Sequence, residues 1–438
     1  MSIALLKRLN QSLPDPVQIA FAPLIRKKLV CDDVFIAQMD ELHDRDIRTD
    51  EEIKERQFQK LKETLLHAYR HTSYYRQLFD KVGFRPDRFA SFEDIKKIPL
   101  LTKDQIRENF DGLRADDRND HYVGETGGST GQPLKVLLGR DSIYREKAFI
   151  YHFWEKFGYD RDKSRIATFR GVDLKGKLSK VNPLYNEVLL NPFILSDANV
   201  QRYVDRIEQF GADLLHGYPS ALSDLCRLMD KHHIRLSRPL KAVFLISEAC
   251  SDQQRRLIEG VLGCRAVSFY GHTERAVFAE ECSRDGNYRF DPYYGHTEIV
   301  EHENGNIVCT GFINPQFPLI RYAVDDRAVK DADGTYKITG HHTAAALLGK
   351  NGEHITQTAL NFHDATFSKT TGYQFYQEIP GYVQCRVQAA EKLGITDLND
   401  IKRGLSRKCG DCIEWDVVQV DHFELTKRGK LKTIIQKM

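Results

Sequence analysis

The sequence predicts an α/β protein: a large N-terminal α/β domain with mostly parallel sheets and a β-rich subdomain, followed by a small α+β C-terminal domain. Three observations carry this. Between residues 134 and 270, apolar strand runs alternate with amphipathic helix runs. One run, Ala242-Val243-Phe244-Leu245-Ile246, is apolar without interruption, as a strand buried on both faces must be. After residue 285 the rhythm turns to short strands, with Asn304-Gly305 and Asp333-Gly334 as hairpin dipeptides.

The elements follow in order. Ile53, Phe58, Leu61 and Leu65 recur at three- to five-residue steps among charges, so residues 51–70 read as a helix. Tyr74, Tyr75, Leu78 and Phe79 form a second apolar cluster, and Thr102-Lys103-Asp104 reads as a helix cap. Leu134–Leu138 is a strand and Asp141–Phe157 a helix; Ala212–Leu215 is a strand and Ser220–Met229 a helix. Ser251–Leu262 is a helix and Ala266–Tyr270 the next strand. Tyr288–Phe290, Glu298–Glu301 and Asn306–Thr310 are the short strands of the β-rich part.

A chain of 438 residues is too long for one simple core. The boundary is expected near Gly340, giving domains 1–339 and 340–438. Lys plus Arg is 64 against Asp plus Glu at 62, so the net charge of +2 creates no field to favour nucleic acid. Nine scattered cysteines, an odd number, fit reduced thiols and a cytoplasmic location. No apolar run is long enough to span a bilayer. Val17–Leu29 is apolar with a basic end, which leaves room for contact at a membrane surface, but packing on its own domain is the simpler expectation.

Four segments could carry chemistry. Thr126-Gly127-Gly128-Ser129-Thr130-Gly131 concentrates glycines and hydroxyls, so that backbone N–H groups can converge on an anion. No Gly-Lys-Ser/Thr closes it and a strand follows, so it is not a Walker loop; alone it reads as a plain turn. Tyr270-Gly271-His272-Thr273-Glu274 follows a buried strand, where α/β proteins place ligands. A tyrosine there can stack on a purine, and a glutamate can hold Mg²⁺ beside phosphates; alone this too is an ordinary strand-end turn. Pro318-Leu319-Ile320-Arg321-Tyr322 leads to Asp325 and Asp326, either ribose-binding carboxylates or surface acids. Thr426-Lys427-Arg428-Gly429-Lys430 is a basic tail whose lysine could meet a developing phosphate anion. Cys409-Gly410-Asp411-Cys412 is a lone C-x-x-C, read as two reduced surface or turn cysteines; zinc would need partners such as Cys385 and His422.

In this order and spacing the four segments resemble the adenylate-forming (ANL) superfamily, and within it the phenylacetate-CoA ligase and CapK branch. The resemblance runs from about residue 60 to the C-terminus, and His216-Gly217-Tyr218-Pro219-Ser220 supports the branch. It implies activation of a small-molecule carboxylate by ATP as an acyl-adenylate, with Mg²⁺ as cofactor and transfer to CoA or another nucleophile. A place in capsule or other polysaccharide biosynthesis is a further implication. Residue by residue, Thr126, Gly127, Gly128, Ser129, Thr130 and Gly131 would wrap the phosphates. Ser247, Glu248 and Ala249 would lie on the adenine side, Tyr270 with Gly271 would receive the base, and Thr273 would contact phosphate. Glu274 would bind Mg²⁺, Asp326 the ribose, and Lys430 would assist adenylation from a mobile C-terminal domain.

One departure stands out. The family's Gly-Arg and acidic hinge is replaced here by Gly340-His341-His342-Thr343-Ala344, although Lys350-Asn351-Gly352 resembles what normally follows. Two alternatives therefore stay open: an adenylyltransferase acting on a cofactor or sugar, and a non-catalytic CapK-like assembly protein.

Overall fold

The protein is described by a computed structural model covering residues 22, 26, 30–126, 134–172, 174–284, 286–300, 305–339, 346–356, 360, 365–370, 372–389, 391–424 and 433–438. The chain enters through helices Asp33–Arg45, Asp50–His71 and Ser73–Lys81. The second begins where it does because Thr49 and Glu52 form a reciprocal capping box. A second box, Thr102 with Gln105, starts the short helix Lys103–Glu108 at the expected cap.

A hairpin follows, β1 (His121–Glu125) against β2 (Lys135–Gly139), paired antiparallel from Glu125↔Lys135 outward. The main sheet holds β3 (Ile166–Phe169), β4 (Ser179–Asn182), β5 (Glu187–Leu190), β6 (Leu214–Gly217), β7 (Ala242–Leu245) and β8 (Arg265–Gly271). It continues through β9 (Phe278–Glu281), β10 (Tyr288–Phe290), β11 (Gly295–Val300), β12 (Asn306–Gly311), β13 (Tyr322–Lys330) and β14 (Tyr336–Thr339). Among the described residues the order is β11-β12-β13-β14-β10-β9-β8-β7-β6-β3-β5-β4. The run β5-β3-β6-β7-β8 is parallel. The expected β-rich attachment joins the core through β9, which pairs antiparallel with β8 and extends the same sheet.

Helices cover both faces of the parallel half. Helix Arg140–Glu155 and helix Asp33–Arg45 pack on one face through Phe149, Phe153, Trp154 and Phe35. Val200–Phe210, Pro219–Lys231 and Asp252–Leu262 pack on the other through Tyr203, Leu222, Leu225 and Ile258. This sandwich explains why β3, β5 and β7 are buried at every position and read as unbroken apolar or near-apolar runs. The antiparallel half packs instead on helices Asp50–His71 and Ser73–Lys81 through Leu61, Leu65, Tyr75 and Phe79.

A second sheet follows a small hairpin, β15 (Ala346–Leu348) against β16 (His354–Thr356). It comprises β17 (Gly372–Ile379), β18 (Tyr382–Gln388), β19 (Glu414–Gln419) and β20 (Ile434–Gln436), ordered β19-β18-β17-β20. Helix Ile395–Cys409 lies on it, and Phe375, Val383, Leu405 and Trp415 form a core that Phe193 and Tyr218 of the preceding part also join. Cys409 and Cys412 belong to that core rather than to the surface, correcting the sequence expectation: their exposures are 0% and 7%. The Cys412 thiol donates to the Cys409 carbonyl at 2.8 Å, and burial pushes its pKa up to about 12, so it stays a protonated thiol. Cys385, Cys409, Cys412 and His422 do not gather into a metal-binding set among the described residues. Nor is any helix among them long and apolar enough to cross a membrane.

Gly217, inside the His216–Ser220 segment, has a steric reason to be glycine. A Cβ there would stand 2.3 Å from the Phe169 carbonyl oxygen and 2.9 Å from the Phe169 Cβ. Both belong to the adjacent strand, which is buried and cannot withdraw. Gly217→Ala is expected to destabilise the protein by about 1–3 kcal/mol, the cost of overpacking a filled interior. A urea titration reads this as a lower midpoint at constant slope; an unmoved midpoint contradicts the packing argument.

Candidate functional site

The parallel strands end at one edge of the sheet, and Ser247–Ala249, Tyr270–Glu274 and Asp326 gather there. β7 runs into Ser247, whose φ of +63° is left-handed, then Glu248 and Ala249. β8 ends at Gly271 and delivers His272, Thr273 and Glu274. Between the two strand ends lies a cleft of about 240 Å³ lined by Ser247, Glu248, Ala249, Tyr270 and Gly271. Tyr288 and Lys337 close it from β10 and β14; neither stood out in the sequence, because the pairing of distant strands brings them there.

Asp326 on β13 joins this edge. Its carboxylate accepts the Tyr270 phenol at 2.9 Å and faces His272 Nε2 at 3.0 Å. The adjacent Asp325 turns away to Lys103 at 2.6 Å, which separates the two aspartates that the sequence left together. Burial opposes a charge on His272, but the hydrogen bond to Asp326 and the charges of Glu274 and Asp326 outweigh it and raise its pKa above the ordinary value. The Tyr270 and His272 rings meet edge to face at 4.7 Å. His272 lay inside a recognised motif, yet its partner is 54 residues away in sequence.

Glu274 is buried, with 6% exposure. The Tyr322 hydroxyl donates to Glu274 Oε1 at 2.9 Å. This holds the carboxylate in one orientation and gives the Arg321-Tyr322 segment a role beside the strand end. Arg321 itself is a clasp: it reaches both Glu298 oxygens at 3.0 and 2.9 Å and donates to the Ile98 carbonyl at 2.6 Å.

Thr126 closes the base of the hairpin. Its N–H donates to the Leu134 carbonyl and its Oγ1 accepts from the Leu134 N–H, both at 3.0 Å. Gly127, Gly128, Ser129, Thr130 and Gly131 lie outside the described residues, as do His341–Thr343 and Lys430. Strand β1 runs alongside Thr273, whose Cγ2 is 3.4 Å from where a Cβ on Gly124 would stand. Arg275, unremarked in the sequence, locks this arrangement: it pairs with Glu146 at 2.9 Å and donates to the Tyr122 hydroxyl at 3.2 Å. The signal available was its place directly after Glu274.

Glu248 is engaged away from the cleft by its carboxylate, which accepts the Ser220 N–H at 3.2 Å and the hydroxyl of Thr356 from β16. Burial raises its pKa above the usual carboxylate range. Within β6, His216 packs against Trp154 with ring centroids 5.0 Å apart; burial and the charge of Arg170 pull its pKa down to about 3, so it is a neutral imidazole. A larger cavity of about 900 Å³ lies beside Arg26, Arg161 and Arg206 and contains none of the predicted site residues.

Known proteins share this architecture. A solved structure of 2-hydroxyisobutyryl-CoA ligase, bound to 2-HIB-AMP and CoA, superposes with a TM-score of 0.53 at 17% identity over 89% of this chain and 90% of that one. The chain shares the fold of that ligase. A second structure of that ligase, in the postadenylation state with 2-HIB-AMP, superposes with a TM-score of 0.52 at 16% identity, over 89% of this chain and 90% of that one. In sequence the chain resembles CapK of Staphylococcus aureus, 25% identical over 64% of this chain and 64% of that protein. It thus matches just under two thirds of CapK's length. It also resembles the phenylacetate-coenzyme A ligase of Escherichia coli, 25% identical over 63% of this chain and 67% of that enzyme. The phenylacetate-coenzyme A ligase of Thermus thermophilus is 20% identical over 85% of this chain and 87% of that enzyme. No family model matches the sequence.

Proposed function

We propose that this protein activates a carboxylic acid with ATP as an acyl-adenylate and passes the acyl group to the thiol of CoA. The observation that carries the reading is the convergence, at the ends of β7 and β8, of the lined cleft with the Tyr270–His272–Asp326 and Glu274–Tyr322 clusters. A carboxylate is a poor electrophile, and AMP is a good leaving group. The protein's task is to align the acid with the α-phosphate and to neutralise charge as pyrophosphate departs.

In this reading the cleft takes adenine, with the Tyr270 ring as one wall, and Asp326 takes the ribose hydroxyls. The loop after Thr126 takes the phosphates, with Thr273 beside it. Glu274 fits a magnesium ligand: it is a hard oxygen donor, buried and held by Tyr322, at the strand end beside the hairpin. Magnesium would supply charge neutralisation at the phosphate oxygens. We further propose that residues 340–438 form a lid domain which presents Lys430 during adenylation; support comes from the second sheet, whose strands pair with one another and not with the main sheet among the described residues. The altered segment at His341 favours keeping one rival, an enzyme that stops at the adenylate or transfers AMP elsewhere.

A screen of carboxylates by ATP–pyrophosphate exchange tests the reading. Exchange dependent on one acid supports it, thioester formation on adding CoA completes it, and no exchange with any acid sinks it. Exchange without thioester selects the rival.

Asp326→Ala probes the ribose assignment. Loss of charge-assisted hydrogen bonds at about 1.5–3 kcal/mol should weaken ATP binding by about 10- to 150-fold. Calorimetry that finds unchanged affinity removes the assignment. The same substitution should lower the titration midpoint of His272 in NMR. A histidine whose pKa rises above 6.5 on folding adds stability below that pH and loses it as the pH climbs through the raised value. Asp326→Ala should therefore flatten that pH dependence.

A further inference from the structure

On helix Asp50–His71, His67 and His71 stand four residues apart and so share one face. Their rings lie 4.8 Å apart, centroid to centroid, at a tilt of 34°. The chain returns to this face beyond Leu113. There the Asp116 N–H donates to the His71 carbonyl at 2.9 Å and the Ala115 N–H to the Gln316 carbonyl at 3.0 Å. These bonds fix the loop across the C-terminal end of the helix and set Asp116 and Asp117 beside the two rings. His71 Nδ1 meets Asp116 at 3.0 Å, and His67 Nε2 is 4.0 Å from Asp117 Oδ1.

Two carboxylates at a helix C-terminus oppose the helix dipole, whose negative pole is there. Something positive should offset them. Arg118 Nε, 3.7 Å from Asp117, is one such group. A metal ion would be a second, and the donors for it are in place. One ligand atom each from His67, His71 and Asp117 lies within 4.8 Å of the others.

We propose that His67, His71 and Asp117 bind a divalent transition-metal ion of the zinc class, at a site separate from the ATP cleft. Two neutral imidazoles and one carboxylate are donors such an ion prefers. In each histidine one ring nitrogen already faces an oxygen, the Pro315 carbonyl at 2.9 Å for His67 and Asp116 for His71. For His71 that contact fixes Nδ1 as donor and leaves Nε2 its lone pair, the arrangement by which outer oxygens orient metal-binding histidines; for His67 the engaged atom is Nε2, the nitrogen toward Asp117, which would exchange the Pro315 carbonyl for the ion. With metal–nitrogen bonds of about 2.0–2.1 Å, binding would draw the three side chains together. The ion would tie helix Asp50–His71 to the loop that feeds β1, the strand leading into the phosphate loop.

The test uses untagged full-length protein and Zn²⁺ alone, followed by calorimetry, with Co²⁺ as a spectroscopic substitute. One equivalent should bind, and His71→Ala and Asp117→Asn should each weaken it by at least about tenfold. Zn²⁺ should raise the melting temperature of the parent and not of either variant, while the metal-free melting temperature of Asp117→Asn stays near the parent's. Co²⁺ should give d–d bands without a thiolate charge-transfer band, since the chain has nine cysteines that could compete. The proposal is overturned by absence of saturable binding, by parental affinity in both variants, or by a thiolate band.

Discussion

Glu274→Gln is expected to slow acyl-adenylate formation by about 10²- to 10³-fold, the loss seen when one preorganised electrostatic group is removed. The substitution keeps size and shape and removes only the charge. Tyr322, which donates to Glu274 at 2.9 Å, can donate equally to the glutamine carbonyl. The side chain is buried, so solvent cannot supply the missing negative charge. The fold should therefore hold, with a melting temperature close to the parent's, while exchange collapses at every magnesium concentration. Weakened magnesium binding alone would appear differently, as parental rates restored at high Mg²⁺. Parental exchange rates at ordinary Mg²⁺ would remove Glu274 from the metal role altogether.

Lys430→Ala should slow the same half-reaction by about 10²- to 10³-fold and leave ATP affinity nearly unchanged. A lysine that meets the phosphate as charge develops acts on the transition state rather than on the bound ground state. Thioester formation from a pre-made acyl-adenylate should be spared, because that step needs no phosphate neutralisation. Lys430 is outside the described residues, but both flanks are tied to the same strand of the second sheet. Gln374 on β17 exchanges hydrogen bonds with the Glu424 backbone at 2.9 and 3.1 Å. β20, beginning at Ile434, runs parallel to β17 from Phe375. If the second sheet moves as a lid, these anchors carry the lysine with it. An unchanged exchange rate in Lys430→Ala would mean that the lid does not deliver the lysine, and would favour the rival reading raised by His341.

Much of this protein was legible in its sequence where the signal is local. The helix at 51–70, the buried strand at Ala242–Leu245 and the hairpin dipeptide Asp333-Gly334 follow from periodicity and turn chemistry within a few residues. The strand-end motif from Tyr270 to Glu274 could be singled out from its place after a buried strand, and the segment Ser247–Ala249 from the family resemblance; both flank one cleft. Tertiary structure alone decided which partners these residues have. Tyr270 meets Asp326 across 56 positions and Glu274 meets Tyr322 across 48. The C-x-x-C pair became core because a helix end folded onto a second sheet. How the β-rich segment joins the core was also a tertiary matter: it extends the main sheet through β9 on β8, and backbone pairing of those strands depends on register between them. Local sequence sets the period of burial and the sites of turns, since those energies involve neighbours in the chain. The identity of a distant partner depends on how whole elements pack, which no single segment encodes.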